Sequence, residues 1–190
     1  MKVPTLENDH VKLSLLDLSN YKHLLPIAQQ ENLIQYSPSD ISTPEKLKNY
    51  VEIAVDAYYH KTAIPFIVFD KVKKEYAGST RYMNINWNYK VLEIGSTWIG
   101  REFQGTGLNS QMKFLMLTYA FETLNFEKVE FRIDERNIRS RKAVEKLGCQ
   151  LEGILRKNVY LTDGFKRNTC CYGMLEEEWE VIKEKIFKAF

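Results

Sequence analysis

Residues 104–110, Gln-Gly-Thr-Gly-Leu-Asn-Ser, constrain this chain more than any other segment. They lie between an apolar strand, residues 92–99, and a stretch in which Met112, Leu115, Met116, Tyr119 and Ala120 recur at helical spacing. Phe114, Leu117 and Phe121 make that helix apolar on a second side, so it is expected to be buried broadly over residues 110–124. A strand–loop–helix unit of this kind belongs to an α/β domain. Its glycines let the backbone turn tightly and aim successive N–H groups at one point. The unpaired N–H groups and dipole of the following helix favour an anion there, so the loop suits a phosphate or pyrophosphate. A plain β–α turn with two glycines fits the same residues. No Gly-Lys-Ser/Thr follows, which excludes a Walker loop, and Ser110 stands where a dinucleotide fingerprint requires glycine.

The remaining pattern fills in one mixed domain. Val11, Leu13 and Leu15 alternate as a strand, and Asp17 is placed to cap a helix carrying Leu18, Tyr21, Leu24, Leu25 and Ala28. Pro44 opens a second helix through Leu47, Tyr50, Val51, Ala54 and Tyr58. Residues 63–69 and 76–84 read as two strands, residues 129–133 as another, and Asn137 and Gly148 bracket a short helix. Asp163-Gly164 marks a hairpin between two long strands, and residues 176–190 form a closing helix. With 190 residues, no repeat and no linker, the chain is expected to fold as one domain, residues 1–190, with its core at about 10–175.

Composition excludes more than it names. Lys plus Arg is 27 against 25 for Asp plus Glu, a net +2, too little basic excess for sequence-independent nucleic-acid binding. The three cysteines (Cys149, Cys170 and Cys171) and the scattered His10, His23 and His60 show no metal-ligand spacing, so no metal is expected. No apolar run approaches a membrane span and the N-terminus lacks a secretory signal, so a cytoplasmic protein without membrane contact is expected.

Three blocks then carry a resemblance. Residues 104–109 resemble the Q/R-x-x-G-x-G/A pyrophosphate loop of the GNAT N-acetyltransferases, with Asn109 in place of the last small residue. Residues 137–149 resemble the N-x-x-S-x-x-x-x-E-K-L-G-F segment of the branch containing the ribosomal-protein N-terminal (alanine/serine) acetyltransferases. Residues 92–99 are similar to that branch's strand before the loop. The blocks stand in the expected order across about residues 10–175.

The resemblance implies a single-domain α/β fold with a mixed, mostly antiparallel sheet of about seven strands. Helices flank that sheet, and one strand pair splays at the cofactor. It also implies acetyl-CoA as co-substrate, a protein N-terminus or small-molecule amine as acceptor, direct attack in a ternary complex, and a monomer or homodimer. Backbone N–H groups of Gly105, Thr106, Gly107, Leu108, Asn109 and Ser110, beside Gln104, would hold the pyrophosphate. The strand edge at Trp98 and Ile99 would pair with the pantetheine amides, and Asn137 would bond the same arm. An amine acceptor must lose a proton, which makes Glu93 the first candidate base and Glu102 a second; a solvated strand glutamate fits Glu93 equally. Many members place a thiolate-protonating tyrosine where this chain has Val144, so Ser140 becomes the candidate acid, although a helix-start serine also makes local bonds.

Within the basic cluster Arg136, Arg139, Arg141, Lys142 and Lys146, Arg141 is the candidate cofactor contact, and Tyr36, Trp87 and Tyr160 could line an acceptor groove. The valine keeps open a non-catalytic acyl-CoA-binding or sensing module with the same fold.

Overall fold

A computed structural model describes residues 3–188. Its strands are β1 (Leu6–Glu7), β2 (Val11–Leu15), β3 (Ile64–Asp70), β4 (Glu75–Asn86), β5 (Val91–Ile99), β6 (Lys128–Asp134), β7 (Gln150–Tyr160) and β8 (Lys166–Leu175). They form one open sheet in the order β1-β2-β3-β4-β5-β6-β8-β7. Every neighbouring pair is antiparallel except β5 and β6, which are parallel. Among the described residues the sheet thus has eight strands, in keeping with the mixed, mostly antiparallel sheet of about seven that the resemblance implies, with one short strand added. The additional one, β1, pairs Leu6 with Leu13 and Glu7 with Lys12, and two residues are too few to display a strand period.

The helices are α1 (Leu25–Ala28), α2 (Pro44–Tyr59), α3 (Leu108–Thr118), α4 (Ile138–Lys146) and α5 (Glu176–Ile186). The helix expected from Asp17 is shorter than its pattern. Asp17 Oδ1 accepts the Ser19 N–H at 2.7 Å, and Asn20 Oδ1 accepts the Asp17 N–H at 3.1 Å, which closes a local turn. A 3-10 turn at Tyr21–Leu24 precedes α1, because Pro26 has no N–H to give and fits only the first turn of a helix. Beyond α3 the chain widens into a π turn at Tyr119–Thr123, where the Leu124 N–H reaches the Tyr119 carbonyl. The closing helix ends at Ile186, and its last two expected residues lie outside the described residues.

Helices cover both faces of the sheet. On one, α3 packs over β4 through a 2.6 Å bond from Tyr82 Oη to the Met116 carbonyl, and Trp179 of α5 stacks on Phe121. On the other, Tyr50 of α2 meets Trp98 edge-on at 6.3 Å and stacks under the Arg81 guanidinium at 4.5 Å.

Two irregularities shape the centre. β5 and β6 pair only from Val91–Lys128 to Glu93–Glu130; past Glu93, β5 continues to Ile99 with no β6 partner while β6 stays paired to β8. The strands thus fork at Glu93. Between β4 and β5 the register shifts twice, near Ser96 (φ 47°) and Asn84 (φ 50°), and these bulges re-aim the side chains around the fork.

Candidate active site

The glycine loop enters α3 with Gly105 at φ 81° and Gly107 at φ 92°, the left-handed region that favours glycine. A Cβ built at either meets no atom within 4 Å, so its space opens outward, where an approaching ligand would need it. Thr106 Oγ1 donates to the Phe103 carbonyl at 2.8 Å, and the Gly107 carbonyl accepts the N–H groups of Ser110 and Gln111. Among the described residues no acceptor takes the N–H groups of Gly105, Thr106, Gly107 or Asn109, whereas Leu108 N–H leans on Thr106 Oγ1 at 3.4 Å. Four free donors at the start of an 11-residue helix are a fit for a pyrophosphate.

Gln104 braces the loop. Its Nε2 donates to the Ile99 carbonyl at 3.0 Å while its Oε1 accepts from Arg139 of α4, so the loop, β5 and α4 are tied by one side chain. Asn137 caps α4 by accepting the Ser140 N–H at 3.1 Å, and no acceptor among the described residues takes its Nδ2. Ser140 is half-buried in the first turn.

The basic cluster divides three ways. Arg139 reaches the loop. Arg141 donates to Tyr172 Oη at 3.0 Å and to the Glu135 carbonyl at 3.2 Å, which ties it down onto β8. Arg136 pairs with Asp134 at 2.7 Å and covers the Phe165 ring at 3.7 Å, away from the loop.

Glu93 stands at the fork and is 6% exposed. Asn84 Nδ2 donates to its Oε2 at 2.7 Å, and Arg132 Nε lies 3.7 Å away. Burial raises its carboxyl above the ordinary glutamate range, and the Asn84 bond and Arg132 only partly offset this. Met83 lies opposite Glu93 and Arg81 opposite Gly95, so Arg81, Met83 and Glu93 share the sheet face that carries α2. On that face Tyr50 Oη reaches the Ser96 carbonyl at 3.3 Å, and Tyr50 also lines a 450 Å³ cleft with Pro38, Asp40 and Asn49. Trp98 is buried, its Nε1 donating to Tyr50 Oη at 3.3 Å.

Other expected residues fall elsewhere. Glu102 is exposed and accepts from Gln30 at 3.0 Å. Trp87 donates to the Lys61 carbonyl and packs on Phe126 just before the Val91 end of β5, on the side of Glu93 where β5 and β6 are still paired. Tyr160 is 63% exposed at the end of β7, beneath Lys166. Tyr36 holds Arg167 through its carbonyl at 2.9 Å.

One group was not legible as a site residue. Lys113 of α3 is 4% exposed, with its Nζ 2.8 Å from Thr97 Oγ1 and 3.4 Å from Thr80 Oγ1. Burial lowers its pKa to about 7. The signal was its place in the stripe Lys113, Leu117, Ala120, all buried at helical spacing. Among the described residues no cluster of His, Cys, Asp and Glu could hold a metal ion, and no helix is long and apolar enough to cross a membrane.

Residues 10–150 match the model of the acetyltransferase (GNAT) domain. Over 97 residues the chain is 33% identical to YdaF of Bacillus subtilis, a provisionally named ribosomal N-acetyltransferase. That match spans 51% of this chain and only about half, 52%, of YdaF. The uncharacterized N-acetyltransferase p20 of Bacillus licheniformis is 23% identical over 80% of this chain and 85% of its own. A crystal structure from T. thermophilus, provisionally described as an acetyltransferase, superposes with a TM-score of 0.88 at 30% identity, covering 100% of this chain and 99% of that one. A ribosomal-protein-S5-alanine acetyltransferase from Vibrio fischeri shares the fold at a TM-score of 0.75 and 22% identity, over 93% and 99% of the two chains.

Proposed function

The chain belongs to the GNAT acetyltransferase family, and from that premise we propose that it moves the acetyl group of acetyl-CoA onto a primary amine by direct attack in a ternary complex. The observation that carries this reading is the fork at Glu93, where a buried carboxylate meets the open edge of β5. The free N–H groups of Gly105, Thr106, Gly107 and Asn109 hold the pyrophosphate, with Gln104 and Arg139 framing it and Ser110 closing the turn. The arm then runs along β5 past Ile99 and Trp98, with the Asn137 amide on its other side.

The amine arrives from the face that carries Tyr50 and Arg81. Glu93 takes its proton, directly or through water, which a carboxyl held above its ordinary pKa does readily near neutral pH. The acceptor is a protein N-terminus or a small-molecule amine, and the cleft that Tyr50 lines lies on that side of the molecule. Arg139, which reaches the loop through Gln104, joins Arg141 as a candidate cofactor contact.

Release of CoA thiol in the presence of a panel of amines and N-terminal peptides tests this. Steady turnover with one of them supports the transferase. Tight acetyl-CoA binding with no turnover favours the sensing module, which the buried Val144 keeps in view.

A further inference from the structure

In the acetyltransferase reading the departing sulphur needs a proton; Val144 has none to give, and the candidate Ser140 is half-buried in the first turn of α4 with no side-chain partner among the described residues to resupply its proton. Lys113 supplies a geometry for it. Its Nζ is enclosed by the Thr97 hydroxyl of β5, the Thr80 hydroxyl of β4 and, at 5.8 Å, the Phe131 ring of β6. The two hydroxyls are themselves 2.8 Å apart, and Thr80 also reaches Met116 Sδ at 3.6 Å. No carboxylate pairs with Lys113 among the described residues. Burying a cation this way costs stability, so a function is a physical reason for keeping it. Thr97 differs from its partners in being exposed, and it lies in the stretch of β5 that has no β6 partner. The pair Lys113–Thr97 therefore connects the interior to the open edge of the fork.

We propose that Thr97 protonates the departing CoA sulphur and that Lys113, acting through Thr97, supplies the proton. This rests on the acetyl-transfer reading above. As the acceptor nitrogen bonds to the thioester carbon, the carbon–sulphur bond breaks and its electron pair goes to sulphur. Sulphur takes the Thr97 hydroxyl proton while Thr97 Oγ1 takes one from the Lys113 ammonium. CoA leaves as a thiol and Lys113 is left as a neutral amine. The proton shed by the acceptor nitrogen departs through Glu93, and Lys113 is recharged from solvent when the thiol has gone.

The lowered Lys113 pKa of about 7 makes its ammonium a willing donor near neutral pH. Among the described residues the titratable group that acts on it electrostatically is Cys149, which follows α4; burial pushes that thiol up to about 12, so near neutral pH it carries no charge. The remaining neighbours on β4, β5 and β6 are the uncharged Thr80, Thr97 and Phe131.

The test compares wild type with Lys113→Met, Thr97→Val and Thr97→Ser, measuring kcat with acetyl-CoA from about pH 6 to pH 10 and CoA affinity by calorimetry. In wild type kcat should fall on the alkaline side as the ammonium loses its proton. Lys113→Met and Thr97→Val should lower kcat about tenfold or more, remove that alkaline fall and leave CoA affinity within about twofold, while Thr97→Ser restores wild-type behaviour. A Lys113→Met protein that keeps both the wild-type kcat and its alkaline fall overturns the inference. If Lys113→Met does not fold, the exposed Thr97→Val decides alone by the same criteria. A wild type that turns over no amine overturns the acetyl-transfer reading and this inference with it. A turning-over wild type matched by both variants overturns this inference only.

Discussion

Asn84 donates a 2.7 Å hydrogen bond to Glu93 from a left-handed position (φ 50°) in the β4 bulge. That bond opposes burial in setting the Glu93 carboxyl, whose net pKa nonetheless stays raised. A base works only when deprotonated, so kcat/KM should fall as pH drops through this raised value. Asn84→Gly keeps the left-handed turn but deletes the donor, so the acid limb of the profile should move to higher pH. Glu93→Gln should flatten that limb and cost about a hundredfold in kcat above it, with CoA affinity near normal. A pH–rate profile of each variant checks both. An acid limb unmoved in Asn84→Gly and retained in Glu93→Gln removes Glu93 from the base role.

Gly107→Val tests the placement of the cofactor. Its φ of 92° strains a β-branched residue by roughly 1–2 kcal/mol, so the variant should melt earlier. Gly107→Ala carries much of the same strain but adds only one methyl. Because a Cβ here faces open space, both should weaken CoA binding by obstructing approach to the free N–H groups, valine more than alanine. Equal calorimetric affinity across the series would place the pyrophosphate elsewhere.

Much of this arrangement is legible in the amino-acid order. The loop, α2, α3 and α4 announce themselves by cap residues and helical spacing, and the later strands by alternation or by the Asp163-Gly164 turn. What escapes has physical causes. β1 is too short to show a period, and the helix expected after Asp17 ignores Pro26. The basic cluster is a sum over sequence, but residues two apart on a helix point about 200° from one another, so Arg139 reaches Gln104 while Arg141 reaches Tyr172. The fork at Glu93 is visible only in the pairing of β5 with β6, and the resemblance anticipated it where periodicity did not.

Gly78 shows how closely β4 approaches the open strand. A Cβ on it would lie 2.0 Å from the Trp98 carbonyl oxygen and 2.8 Å from Ile99 Cα, both backbone atoms with little freedom to move. Gly78→Ala is therefore expected to cost about 2–4 kcal/mol in urea unfolding and to push β5 outward at the edge assigned to the arm of the cofactor. CoA affinity should fall together with stability. A variant that unfolds at the wild-type midpoint would show that β5 gives way freely here, contrary to a fixed edge.

Lys113 also predicts a pH dependence of stability. Its folded pKa of about 7 lies below its ordinary 10.5, so between these values the unfolded chain binds more protons than the native one. Stability contributed by this group should then rise with pH from about 7, while below that pH both states are protonated and the full cost of burying the ammonium is felt. Cys149 works in the opposite direction, but only above its ordinary 9.0, because its folded pKa is raised to about 12. The clean window is pH 7 to 9. There wild type should gain stability with rising pH, whereas Lys113→Met should be flatter and a few kcal/mol more stable at pH 7. Thermal melts of the two proteins across that window measure the difference. A variant no more stable than wild type at pH 7 would mean that the two threonine hydroxyls solvate the buried ammonium about as well as water does.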